Sequence, residues 1–89
     1  MSTDFNALIA KSIRNLNEYL NTEVDLGITC AHMAETKRRE GNAEQYETSK
    51  RNAINALELI DRFKDRLPDD LRIKIEDRRT ELAELISSL

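Results

Sequence analysis

Cys30 and His32, which carry the side chains best suited to chemistry, stand two positions apart in a stretch with apolar residues every three or four positions. Residues two apart in a helix point about 200° away from each other, so these two cannot form a nucleophile–base pair or share a metal. A metal site would need further ligands, and the chain has no other Cys or His. We predict a buried structural thiol at Cys30 and a solvent-exposed imidazole at His32.

Three carboxylates of the C-terminal segment, Asp77, Glu81 and Glu84, are spaced to form one stripe on a helix. Bundles that bind two metals bury such carboxylates and pair them with Glu-x-x-His, which is absent here. We therefore predict a solvated acidic face, partly neutralised by Arg78 and Arg79. The sequence also lacks a glycine-rich phosphate loop, Gly-x-Ser-x-Gly and His-Glu-x-x-His. We expect a protein that is not an enzyme and uses no metal or cofactor.

A basic run, Lys37-Arg38-Arg39, precedes Gly41. Cations in the last turn of a helix compensate its dipole, and we take this as their main role. The alternative is a regulatory or adaptor module that binds an anionic ligand or nucleic acid through these three residues. Overall, 14 basic and 17 acidic residues are interspersed, with a net charge of −3. Because a nucleic-acid footprint is clustered and positive, we expect no nucleic-acid partner from the chain as a whole.

The elements that carry these residues follow from composition. The 89 residues include two glycines and one proline, which is too few for the turns of a sheet. Helical periodicity predicts one all-α domain over residues 1–89, an antiparallel three-helix bundle with helices at about 3–40, 43–66 and 70–88. Gly41 supplies a left-handed turn, and Asn42 with Gln45 matches a capping box. Pro68 ends the second helix, and Asp69 is predicted to cap the third.

One point in the first helix stays open. Asn21 and Thr22 resemble a helix start, since Thr22 followed by Asp25 approximates a capping box. The apolar stripe nevertheless continues through them in phase, without glycine or proline. We favour one long helix; a corner at Asn21 would instead produce a four-helix bundle.

Short connections make consecutive helices antiparallel neighbours, which sets the register of the first two. With the turn at Gly41 as mirror point, small residues face each other across the crossing. Such residues let two backbones approach closely, so a bulky replacement at Gly27 or Ala31 should be highly damaging. The predicted crossing residues are Gly27, Ala31, Ala34, Ala53 and Ala56.

Residues 24–60 resemble a known kind of helical hairpin. Leu26-Gly27, Gly41-Asn42, Tyr46 and Ala53-x-x-Ala56-Leu57 are similar to the hairpin of tetratricopeptide repeats and to microtubule-interacting and trafficking domains. The spacing from Leu26-Gly27 to Gly41 is about two helical turns longer than a repeat has, and the chain holds no second copy. The resemblance implies a protein-binding groove between helices.

Helix lengths yield the functional expectation. At 1.5 Å per residue, the second and third helices cover the first only down to about Leu16, which leaves residues 4–15 overhanging. We predict that this overhang packs against a second copy in a two-fold dimer, through Phe5, Leu8, Ile9 and Ile13. The function expected is a small protein–protein interaction or scaffold module whose other protein partner the sequence does not name. One cysteine and the absence of an apolar run of ~18–20 residues lead us to expect a cytoplasmic protein without membrane contact.

Overall fold

The computed structural model describes the backbone of residues 2–89 and the side chains of residues 4–89. The chain forms an antiparallel three-helix bundle with α1 at Ser2–Arg39, α2 at Ala43–Phe63 and α3 at Asp69–Ser87. A 3-10 turn, Lys64–Arg66, follows α2, so the second α-helix ends three residues earlier than predicted. The all-α prediction and the long first helix are confirmed.

The first helix is continuous through Asn21, so the four-helix alternative is wrong. The Asn21 side-chain amide donates to the carbonyl oxygen of Asn17 at 2.8 Å, and the Thr22 hydroxyl donates to that of Glu18 at 3.0 Å. These bonds to the preceding turn keep both side chains inside the helical pattern and leave neither free to cap a new helix start. Arg78 of α3 also donates to Asn21 Oδ1 at 2.8 Å, which gives this side chain a partner in the bundle.

The turn between α1 and α2 has the predicted glycine geometry. Gly41 has φ of 76°, its N–H donates to the Arg38 carbonyl at 3.1 Å, and the Asn42 N–H donates to the Lys37 carbonyl at 2.9 Å. This pair of bonds is a Schellman motif. Asn42 Oδ1 then accepts from the Gln45 N–H at 3.1 Å. Only this half of the predicted capping box forms, because the Asn42 N–H that the other half requires is already bonded to Lys37.

The conversion Gly41→Ala is expected to lower the free energy of unfolding by about 1 kcal/mol, the order of cost of a left-handed residue with a Cβ. A Cβ at this position would meet nothing within 4 Å, so the loss would come from the backbone alone. Chemical denaturation measures it. The variant Gly41→Asn is the control and should retain more of the stability, since asparagine tolerates this region. Equal stability of wild type and Gly41→Ala would contradict the left-handed turn.

The turn between α2 and α3 differs from the prediction in one respect. Leu67 is extended, with ψ of 148°, as expected for a residue before proline. Pro68 itself occupies the N-cap position and makes no side-chain cap, so the predicted Asp69 cap is wrong. Asp69 is instead the first helical residue, where it pairs with Arg72 at 2.8 Å and its charge complements the helix dipole.

The core lies where the three helices overlap. Its main cluster joins all three helices and the second turn. A smaller cluster joins α1 and α2 closer to the Gly41 turn. The main cluster contains the buried residues Leu20, Val24, Ala56, Ile60, Leu67, Ile75 and Leu82. The smaller one contains Cys30, Ala31 and Ala53, with Leu85, Ile86 and Leu89 of the C-terminal segment packed against it. The direction of α3 therefore follows that of α1, whereas α2 runs against both.

Helix lengths leave the start of α1 without a neighbour. The first helix has 38 residues, against 21 in α2 and 19 in α3, and the longest dimension of the molecule is 59 Å. Leu16 packs on the core, and Ile13 is half-buried. Every residue from Asp4 to Ser12 is exposed. The core thus begins one turn after the last of these residues.

Candidate interaction surface

The overhang, defined here as residues 4–15 of α1, presents large apolar side chains to solvent. Phe5 is 64% exposed, Leu8 63% and Ile9 44%, while Ile13 is half-buried at the edge of the core. Their spacing continues the stripe that Leu16 and Leu20 bury within the bundle. The four residues predicted for self-association therefore share one side of the helix. Three of them are fully outside the core.

The small residues predicted at the helix crossing lie between α1 and α2. Gly27, Ala31, Ala34, Ala53 and Ala56 are all buried. A Cβ placed on Gly27 would lie 3.0 Å from Ala56 Cβ and 2.7 Å from Leu82 Cδ2. The close approach involves α3 as well as α2. These small side chains allow close packing of the three helices at the crossing.

The basic run does not form a single cationic surface. Lys37 pairs with Glu40 at 3.2 Å, and Arg39 pairs with Glu35 at 3.5 Å. Arg38 donates to the main-chain oxygens of Ser88 and Leu89, at 3.2 and 3.0 Å. Consecutive residues in a helix point about 100° apart, so the three side chains diverge. Each of them has a partner within the chain.

Arg38 borders a recess between α1 and α3 with a volume of about 190 Å³. Tyr46 donates its hydroxyl proton to the main-chain oxygen of Leu89 beside it. These contacts attach the C-terminal residues of the described chain to the α1–α2 turn. The recess is lined by Ala31, His32, Glu35, Arg38, Leu85, Ser88 and Leu89.

The two candidate reactive residues stay apart. Cys30 is buried and His32 is exposed, in line with their opposite directions on α1. Burial raises the pKa of the Cys30 thiol, which favours the unreactive protonated form. Among the described side chains, no group of three or more His, Cys, Asp or Glu could hold a metal ion.

The arginines of α3 have a different role from the one predicted. Arg79 donates two hydrogen bonds to Asp61 of α2, at 2.8 and 2.9 Å, and Arg78 contacts Asn21 and Asp25 of α1. The arginine fork holds the pKa of Asp61 below its usual range. The two side chains reach across to different helices instead of neutralising the acidic face of their own.

A helical projection of the sequence contains the signal for these contacts. Positions 78 and 79 flank the apolar stripe of Ile75 and Leu82 about 50° to either side. The predicted acidic stripe of α3 lies on the opposite side of the helix, and its residues are exposed: Asp77, Glu81 and Glu84.

A further exposed strip was missed by the sequence reasoning. Tyr19, Leu26 and Met33 are each about half exposed, on α1 beside the core. They are seven residues apart, a spacing that keeps side chains on one side of a helix. This spacing was the available signal, hidden by the stronger three-and-four pattern of the core.

Comparisons of the chain with protein-family models, with curated proteins and with solved structures found no match. Within residues 2–89, no helix has the length and apolar character needed to cross a membrane.

Proposed function

We propose that this chain is a small non-catalytic helical interaction module that self-associates through the overhang of α1. The observation that carries the proposal is the exposure of Phe5, Leu8 and Ile9 on one side of a helix that extends past its own bundle. The seven-residue strip and the small crossing residues do not supply catalytic groups. Binding between copies uses the apolar surface that the fold leaves uncovered.

Burial supplies the driving force. Covering a Leu, Ile or Phe side chain completely is worth about 1.5–3 kcal/mol relative to exposure. Exposed apolar residues that occur singly are ordinary, whereas a contiguous set at one end of a helix is typical of an interaction site. A second copy offers the same set of side chains, so a two-fold axis brings like surfaces together.

Charge placed in this surface is expected to separate the copies. Light scattering should give about 20 kDa for wild type, twice the 10.3 kDa of one chain, and about 10 kDa for Leu8→Glu. Circular dichroism should show that Leu8→Glu remains helical over the bundle, because Leu8 makes no core contact. Leu8→Glu should separate the copies because burying an unpaired carboxylate in the contact is costly.

The matched control is Ala7→Glu. Ala7 is also exposed and adjacent in sequence, but it lies on the opposite side of α1 from the stripe. It should retain the mass of the wild-type assembly. A wild-type chain that is monomeric at high concentration, or equal dissociation of both variants, would contradict the proposal.

A further inference from the structure

The exposed apolar residues of this protein are concentrated on one helix. Seven large apolar side chains among residues 4–89 are exposed, and six of them belong to α1. Phe5, Tyr19, Leu26 and Met33 fall on a seven-residue repeat, and the one remaining position of this repeat, between Phe5 and Tyr19, is Ser12. Together with Leu8, these residues define a strip, here called the α1 ridge, that continues from the overhang along the bundle.

The α1 ridge lies apart from the contacts between α1 and α3 that hold the monomer together. Leu20, Val24 and Gly27 face the core, and Asn21 and Asp25 contact Arg78 of α3. Leu26 points more than 90° around the helix from Asn21 and Asp25. The ridge therefore occupies the side of α1 away from α3.

Threonines beside the ridge add little polarity. The hydroxyls of Thr22 and Thr29 donate to the carbonyls of Glu18 and Asp25, at 3.0 and 2.9 Å. Because both hydroxyl protons are already hydrogen-bonded within α1, a helix packed over these threonines would leave no hydrogen-bond donor without a partner. A helix can pack closely over these positions.

We propose that the second copy lays its own α1 antiparallel along the whole ridge, from Phe5 to Met33, so that the interface extends far beyond the overhang. This inference rests on the proposed self-association and specifies its extent and direction. Phe5 of each copy then lies near the Met33 end of its partner, and the two-fold axis passes near Tyr19.

The buried area favours the extended contact. Taking ~200 Å² for a whole large apolar side chain, the exposed parts of Phe5, Leu8 and Ile9 amount to roughly 350 Å² per chain. Two copies would then bury about 700 Å², which is the range of incidental crystal contacts. Tyr19 and the two residues after it on the ridge add roughly 300 Å² per chain. The overhang and the ridge together then bury about 1,300 Å² in two copies, within the range of stable specific interfaces.

Length and direction identify the occupant. The ridge spans 29 residues and about 42 Å, whereas helices with the lengths of α2 and α3 reach only ~32 and ~28 Å. Among the described helices, α1 alone is long enough to cover it. An antiparallel arrangement places the overhang of each copy beside the α1–α2 hairpin of the other, and it opposes the two helix dipoles.

The extent is tested by Leu26→Glu and Met33→Glu in the full chain. Both residues are exposed, so the monomer should remain folded by circular dichroism. We expect each variant to weaken dimerisation at least tenfold in a light-scattering dilution series. The matched control Asn55→Glu, at an exposed position of α2, should leave it unchanged. If Leu8→Glu dissociates the copies and both ridge variants do not, the extended contact is overturned and the proposed self-association stands; if none of the three dissociates them, both fail.

The direction is tested by cross-linking in a Cys30→Ala background. With a short bismaleimide, Tyr19→Cys should form covalent dimers by itself. Phe5→Cys should form them only when mixed with Met33→Cys, because two Phe5 positions would lie about 42 Å apart. Efficient cross-linking of Phe5→Cys by itself would overturn the antiparallel arrangement.

Discussion

Replacement of Gly27 by leucine is expected to lower the free energy of unfolding by about 3 kcal/mol, near the upper end of overpacking costs. Even the first atom of a side chain has no room, since a Cβ would lie 2.7 Å from Leu82 Cδ2 and 3.0 Å from Ala56 Cβ. Leu82 is fully buried, and the Cβ of Ala56 moves only with the backbone of α2. The helices must separate, and the core around Leu82 must open.

Thermal unfolding makes this a large signal. A helical domain of this size loses about 4–8 °C in Tm for each kcal/mol, so we expect a decrease of about 12–24 °C. Gly27→Ala should cost less, because the better helix propensity of alanine, about 1 kcal/mol, offsets part of the clash. Ala31→Leu, one turn further along the same crossing, should act in the same direction as Gly27→Leu.

The control for Gly27→Leu is Thr29→Leu. It introduces the same side chain two residues later at an exposed position of α1. Its effect should stay within about 0.5 kcal/mol, as for most surface substitutions. An unchanged Tm for Gly27→Leu would show that α1 does not approach α2 and α3 closely at this point.

Leu82→Ala is expected to have the second large effect, about 2.5–5 kcal/mol of lost unfolding free energy. Leu82 is completely buried in the cluster that unites the three helices, so its removal leaves a cavity as well as lost apolar contact. The total stability of a domain of 89 residues is about 4–13 kcal/mol. This single change therefore removes a substantial part of it. Ile73→Ala, an exposed position on the same helix, is the control and should cost little.

A double-mutant cycle joins the two predictions. Gly27→Ala introduces a methyl group into space occupied by the Leu82 side chain, which Leu82→Ala vacates. In the Leu82→Ala background, Gly27→Ala should therefore be less destabilising by about 1 kcal/mol, within the usual range of coupling between contacting residues. Denaturant titration of the four proteins measures this difference. Strict additivity would contradict direct contact between the two positions.

Several features could be predicted from local sequence because local interactions create them. Helix ends depend on a few adjacent residues, so Gly41 and Pro68 located the helix ends at both turns within three positions. The three-and-four spacing of apolar residues predicted which side of each helix is buried. The overhang followed from helix lengths alone, since the rise per residue is constant.

Other features required the packed structure. The continuity of α1 depends on whether Asn21 and Thr22 bond to the preceding turn or cap a new one, and both choices are chemically available to these side chains. The Asp69 cap was wrong because Pro68 already occupies the position before the helix. A single local pattern is compatible with two structures in such cases. For α1, the apolar stripe that continues in phase through Asn21 favours the continuous helix, and the packed bundle decides it.

The sequence by itself determined the helices, their turns and the apolar surplus at the start of α1, because periodicity and chain reach are properties of single segments. The short turn at Gly41 already set which small residues of α1 and α2 face each other, whereas the tertiary structure alone decided the contacts of α3. It paired Arg78 of α3 with α1 and Arg79 of α3 with α2, and it positioned Leu82 beside Gly27. It also left Tyr19, Leu26 and Met33 exposed. Exposure depends on where neighbouring helices lie. The α1 ridge could therefore be identified as an interaction surface only after α2 and α3 had been placed.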